Sequence, residues 1–128
     1  MNAVKTILFV ENDPVALTMY QNRLQREGFH VETAHDGLLA LKFLSQYSPD
    51  VVVLDLMLPR FSGAEVFKFM RKDGRLKDVP VVIFSNAAMT DWPQDLGVGN
   101  TQCLAKTEST FPQLLQTIRD LIFAAPVT

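Results

Sequence analysis

Apolar residues in this chain fall into short unbroken runs separated by longer stretches of helical period. Ile7–Val10, Val51–Leu54 and Val81–Phe84 are apolar at every position. A strand with one face in water alternates, so unbroken runs predict strands covered on both faces, as in a parallel sheet. His30–Ala34 and Gln102–Ala105 carry weaker strand signals and fit sheet edges.

The stretches between them bear helix start and stop signals. Asp13-Pro14 opens the first helix and Gly28 closes it, with Leu17, Tyr20 and Leu24 on one face. The second follows Asp36 and aligns Gly37, Ala40, Leu41 and Leu44. Ser62-Gly63-Ala64-Glu65 reads as a capping box for a third helix that packs Val66, Phe67 and Met70 and ends by Gly74. Thr110 and Gln113 repeat that spacing before Leu114, Ile118 and Leu121, and Pro112 is tolerated in the first turn. Between Asn86 and Thr101, Pro93, Gly97 and Gly99 interrupt any period, so a helix there is short or irregular. The alternation predicts an α/β fold, an open, doubly wound parallel sheet with right-handed crossovers.

In such a sheet the residues that follow the strands gather at one edge, where ligands bind. Here they are Glu11, Asn12 and Asp13, then Asp55, then Ser85 and Asn86, then Lys106. Carboxylates, a hydroxyl and one lysine make a site for a divalent cation and a phosphoryl group. The cation offsets repulsion between carboxylates and neutralises charge on the transferring group.

Composition narrows the alternatives. The chain has 128 residues, enough for one domain with a sizeable core, and it reads as a single domain over 1–128 with a short flexible tail at about 124–128. The net charge of −2 is spread along the chain, which argues against a nucleic-acid or anionic-membrane footprint. The single cysteine excludes an internal disulfide and a cysteine-based zinc site, and fits a reducing cytoplasm. No apolar run approaches the roughly 18 residues of a membrane span, and the first residues lack a signal-peptide core. Gly97-Val98-Gly99 lacks a third glycine and the strand–helix context of a dinucleotide fingerprint, and there is no Walker-type loop.

Across essentially its whole length the chain resembles the receiver domains of response regulators. The resemblance rests on Ile7-Leu8-Phe9-Val10-Glu11-Asn12-Asp13-Pro14, on Asp55-Leu56-Met57-Leu58-Pro59 with Gly63, on Val81-Val82-Ile83-Phe84-Ser85, and on Leu104-Ala105-Lys106. It implies a flavodoxin-like five-stranded sheet of order 2-1-3-4-5 with helices on both faces. By the same resemblance Asp55 accepts a phosphoryl group from a sensor histidine kinase or phosphotransfer protein. Glu11, Asn12, Asp55 and the backbone carbonyl of Met57 hold Mg²⁺. Ser85 and Lys106 meet the phosphoryl oxygens. The product signals to an output partner. The chain would then be a phosphoprotein switch, with at most self-catalysed phosphorylation and dephosphorylation rather than enzymatic turnover.

Several residues depart from the family pattern. Asn12 stands where a second metal-facing carboxylate is usual, which implies weaker Mg²⁺ binding. Asp13 fits a helix cap better than a substitute ligand. Cys103 replaces an aromatic switch residue and reads as a small buried core residue. Met57 and Ala87 are apolar where side chains often orient the hydrolytic water, so the phosphoryl-aspartate is expected to be long-lived. Asn86 is bulkier than usual and is expected to narrow access to Asp55. Thr107 replaces a proline that is commonly cis, which leaves the peptide geometry open.

Blander readings weigh against each residue. Asp55 could be a solvated strand end, Lys106 a surface charge and Ser85 unremarkable; only their common placement raises them. His30 and His35 read as surface residues, and Trp92 as a loop anchor or a partner-facing side chain. Two rival functions remain. A pseudo-receiver, an interaction module that is never phosphorylated, is favoured by Asn12 and Asn86. A flavin carrier or enzyme on the same sheet is disfavoured, because the Glu11-Asn12-Asp13 loop would repel a cofactor phosphate.

Overall fold

The computed structural model describes residues 3–87, 92 and 100–123. Five strands, β1 (Thr6–Val10), β2 (His30–Ala34), β3 (Val51–Leu54), β4 (Val81–Ser85) and β5 (Thr101–Ala105), form one sheet of order β2-β1-β3-β4-β5. Every pairing is parallel. The flavodoxin-like order implied by the resemblance is the order observed.

The unbroken apolar runs serve two cores at once. Leu8, Val10, Val52, Leu54, Val81 and Ile83 face one layer, with Ala40, Leu44, Val66, Phe67 and Met70. Ile7, Phe9, Val51, Val53, Val82 and Phe84 face the other, with Leu17, Leu24, Leu114 and Ile118. Successive strand residues point to opposite faces, so the apolar runs of three strands feed both layers. Each large side chain buried there contributes roughly 1.5–3 kcal/mol. The layers are α2 (Gly37–Gln46) with α3 (Gly63–Lys72), and α1 (Pro14–Arg26) with α4 (Phe111–Ile122).

The helix ends follow their local chemistry. Asp13 caps α1 by accepting from the Val15 amide at 3.0 Å, the cap role expected of it. Asp36 accepts from Leu39 at 2.8 Å to start α2. Gly28 ends the turn after α1 at φ +97°, a conformation glycine adopts without steric cost. At α4, Thr110 and Gln113 form the complete reciprocal box. At α3 only half of the expected box forms: Ser62 accepts from the Glu65 amide, but the Glu65 carboxylate meets the Ser62 hydroxyl rather than its backbone N–H.

The amino ends of the strands are tied by side chains. Asp50 accepts from the Thr6 amide at 2.7 Å. The Arg71 guanidinium, stacked on Phe67, donates to the carbonyls of Lys77 and Val79 and to the Thr101 hydroxyl. Arg75 donates to the carbonyl of Leu44 at the end of α2.

One core assignment fails. Cys103 is exposed, not buried. It lies on β5, an edge strand paired on one side only, to β4, and Gln102 beside it is exposed as well. The segment between Asn86 and Thr101, where any helix was expected to be short or irregular, falls largely on residues outside those described, as does the tail at 124–128. Trp92 is the anchor of the two readings: its indole N–H donates to the Ala87 carbonyl at 2.8 Å, and its ring packs on the α2–α3 side core. His30 and His35 are exposed, His30 paired with Glu32. Among the described residues no helix is long and apolar enough to cross a membrane.

Candidate functional site

The strand ladder itself delivers the first two carboxylates. The backbone amide of Glu11 donates to Ala34, and that of Asp55 donates to Val10, so both residues continue the register of β1 and β3 past their ends. Their side chains are nevertheless buried, Glu11 at 4% exposure and Asp55 at 7%. A buried carboxylate without partners is costly, and both have partners.

Asp55 is held by three donors. The Ser85 hydroxyl, on a residue with no exposed surface, donates to Oδ1 at 2.7 Å. The Met57 amide donates to the same oxygen at 2.9 Å. The Lys106 ammonium donates to Oδ2 at 2.6 Å. Lys106 also donates to Oε1 of Glu11, so one cation bridges two carboxylates. The other Glu11 oxygen accepts from the Asp13 amide at 3.2 Å. The Lys106 pKa is raised: burial pulls it down, but its hydrogen bonds to Asp55 and Glu11, and their charges, outweigh that effect. The cluster carries one negative charge in excess.

Of the residues singled out from the sequence, Glu11, Asp55, Ser85 and Lys106 converge in direct contact. Met57 reaches Asp55 through its backbone, and its side chain points to solvent at 64% exposure. Asn12 follows Glu11 in the chain and is exposed. Among the described residues no group of three or more His, Cys, Asp or Glu could hold a metal. Two carboxylates with neutral oxygen donors still suit a hard cation of the Mg²⁺ type, which commonly binds one or two carboxylates and keeps several waters.

The loop after β3 is shaped by close backbone approaches. A Cβ at Gly63 would collide with the Asp55 carbonyl, and one at Gly37 with the Phe61 carbonyl. The Gly63 amide donates to Leu56 at 3.0 Å and the Gly37 amide to Pro59 at 3.2 Å. Arg60, between these ties, adopts φ 66°, unusual for a residue with a side chain. Gly63 was singled out with its motif; the role of Gly37 was not, because it depends on a contact across the fold.

Among the described residues no peptide bond is cis, so the link from Lys106 to Thr107 is trans. Beneath the lysine, Phe9, Tyr20 and Phe84 form an aromatic cluster, with the Phe84 ring centroid 5.9 Å from Nζ.

The response regulator receiver domain model matches residues 7–119. The polar-differentiation response regulator DivK of Brucella anthropi is 24% identical over 118 residues, covering 92% of this chain and 96% of that one. The chemotaxis response regulator CheY4 of Vibrio cholerae superposes with a TM-score of 0.81 at 28% identity, over 93% of this chain and 99% of that one. TrrA of Thermotoga maritima, solved in complex with Mg²⁺ and BeF, gives 0.80 at 27% identity, over 92% and 99%. The receiver domain of the sensor histidine kinase PA1611 of Pseudomonas aeruginosa, with a magnesium ion in its active-site cleft, gives 0.80 at 25% identity, over 94% and 98%. With five parallel strands in receiver order and a model match over most of its length, the chain belongs to the response regulator receiver domain family.

Proposed function

We propose that the chain takes a phosphoryl group onto Asp55 from the phosphohistidine of a sensor histidine kinase or phosphotransfer protein, and so changes its affinity for an output protein. The observation that carries this reading is the convergence of Ser85 and Lys106 on opposite oxygens of one buried carboxylate. An oxygen of Asp55 forms a bond to phosphorus as the donor's P–N bond breaks, and the electron pair leaves with the imidazole, which takes a proton from solvent. The Lys106 ammonium, the Ser85 hydroxyl and the Met57 amide then lie within reach of the phosphoryl oxygens. Such preorganised donors act without rearrangement at the moment of transfer. Glu11, Asp55, the Asn12 amide oxygen and the Met57 carbonyl would hold Mg²⁺, which would neutralise charge on the transferring group. With apolar side chains, neither Met57 nor Ala87 orients a hydrolytic water, so the acyl phosphate would persist.

Mass spectrometry after incubation with acetyl phosphate and Mg²⁺ tests the reading. The expected result is one phosphoryl adduct, absent in Asp55→Asn. A second reading, a pseudo-receiver that binds partners without phosphorylation, draws on the Lys106 bridge, which already satisfies both carboxylates. Absence of any adduct would favour it.

A further inference from the structure

Two residues with no place in the chemistry above touch each other beside it. The Thr107 amide donates to the carboxamide oxygen of Asn86 at 3.0 Å, across 21 positions of chain. Asn86 directly follows Ser85, and Thr107 directly follows Lys106. The bond therefore joins the residues next to two groups that hold Asp55.

Its position in the fold gives it a task. The last rung of the β4–β5 ladder is Ser85 with Ala105. Beyond it the two strands no longer share backbone hydrogen bonds of the sheet. Residues Lys106–Glu108 turn in a single 3₁₀ turn that lacks a side-chain cap at its own amino end. The first amides of such a turn have no partner within it. Asn86 supplies one from the neighbouring strand, and an amide N–H can meet only an acceptor, so it is the oxygen of the carboxamide that faces it. The tie is one side chain long and continues the ladder past its end.

Lys106 has a long reach to make. It starts from the edge strand and must pass over the end of β4 to meet Asp55 on β3 and Glu11 on β1. Its course depends on how the turn that carries it is set against β4.

We propose that Asn86 is a positioning residue for Lys106: by holding the Thr107 amide it fixes the turn that aims the lysine at Asp55. The inference deepens the phosphoryl-acceptor reading and rests on it for its effect on rate, though not for the geometry itself.

The test uses the whole chain, Asn86→Ala and Asn86→Asp; the second keeps an acceptor oxygen. Asn86 is exposed, so neither change is expected to disturb the core. Hydrogen exchange at the Thr107 amide, the order of the Lys106 side chain by NMR relaxation and the rate of phosphoryl uptake from acetyl phosphate are measured together. In Asn86→Ala, Thr107 protection falls, the Lys106 side chain loses order, and uptake slows on the order of tenfold. In Asn86→Asp, protection and the order of Lys106 are retained. Unchanged order of the Lys106 side chain in Asn86→Ala, whatever the rate does, overturns the inference. If the unaltered chain takes up no phosphoryl group, the acceptor reading fails, and the two NMR measurements still decide the positioning role.

Discussion

The ammonium of Lys106 lies 2.6 Å from Oδ2 of Asp55 and at the same time holds Glu11, so a single cation from β5 compensates carboxylates from β3 and β1. Removing it leaves two buried negative charges facing each other. We expect Lys106→Met to lose about 1–3 kcal/mol of stability without added metal. Mg²⁺ should then stabilise this variant more than the unaltered chain, since the ion no longer competes with an ammonium. Urea denaturation with and without MgCl₂ measures both effects. An equal Mg²⁺ gain in the two proteins would contradict the competition.

The raised Lys106 pKa carries a sign. The folded chain binds this proton more tightly than the unfolded chain. Its stabilisation is therefore full below the ordinary lysine value and is lost as pH rises through the folded value. Tyr20, whose phenol is also raised by burial, weakens stability in the alkaline range in the same direction. Comparing the alkaline loss of stability in the unaltered chain with that in Lys106→Met isolates the lysine. The variant should show the shallower fall.

Asn12 offers an oxygen but no charge. Asn12→Asp should tighten Mg²⁺ binding by roughly an order of magnitude, because affinity for hard cations follows ligand charge. The same change adds a third carboxylate to a cluster already in negative excess, so the metal-free variant should be less stable. Isothermal titration and thermal melting report the two halves separately, and equal Mg²⁺ affinities would remove the argument.

Three glycines sort by what surrounds them. Gly37→Ala and Gly63→Ala press a methyl group into the carbonyls of Phe61 and Asp55, and each should cost about 1–3 kcal/mol. Gly74 has nothing within 4 Å of a Cβ, so Gly74→Ala should be neutral or slightly stabilising. Gly63→Ala should also impair phosphoryl uptake at Asp55, which a loss of stability alone would not do in conditions where the variant is folded.

Cys103 is exposed on the edge strand, yet partial burial of its thiol raises the pKa. Exposure gives access, whereas a raised pKa lowers the thiolate fraction that reacts. Iodoacetamide should therefore modify it completely in the native state but more slowly than a free thiol at the same pH, with the deficit narrowing as pH rises.

Much of the fold was legible because three strands are buried on both faces and each carries an unbroken apolar run of four residues. Val51–Leu54 needs only its four apolar residues to be recognised. Cys103 was misread for the complementary reason. On an edge strand one side lacks a neighbour, and residue type alone does not report which side it faces. The site was legible where chemistry depends on side-chain type, at Glu11, Asp55, Ser85 and Lys106. It was illegible where the backbone does the work. The Met57 amide on Asp55 leaves no mark in the identity of residue 57, and the Gly37–Phe61 approach requires the loop conformation around Arg60. The bond from Thr107 to Asn86 is equally illegible, because the partners lie 21 residues apart.

The ties at the amino ends of the strands give the molecule a mechanical asymmetry. Arg71 alone clamps α3, the segment entering β4 and the first residue of β5, and Asp50 and Arg75 fasten the neighbouring elements at that end. At the carboxyl end, beyond the last ladder rung, the tie between β4 and β5 among the described residues is the solvent-facing bond from Thr107 to Asn86, while Lys106 reaches past β4 to Asp55. A displacement begun at Asp55 meets a fixed anvil on one side and a slender linkage on the other. The lighter tie lies toward the edge strand, the strand that also presents Cys103 to solvent.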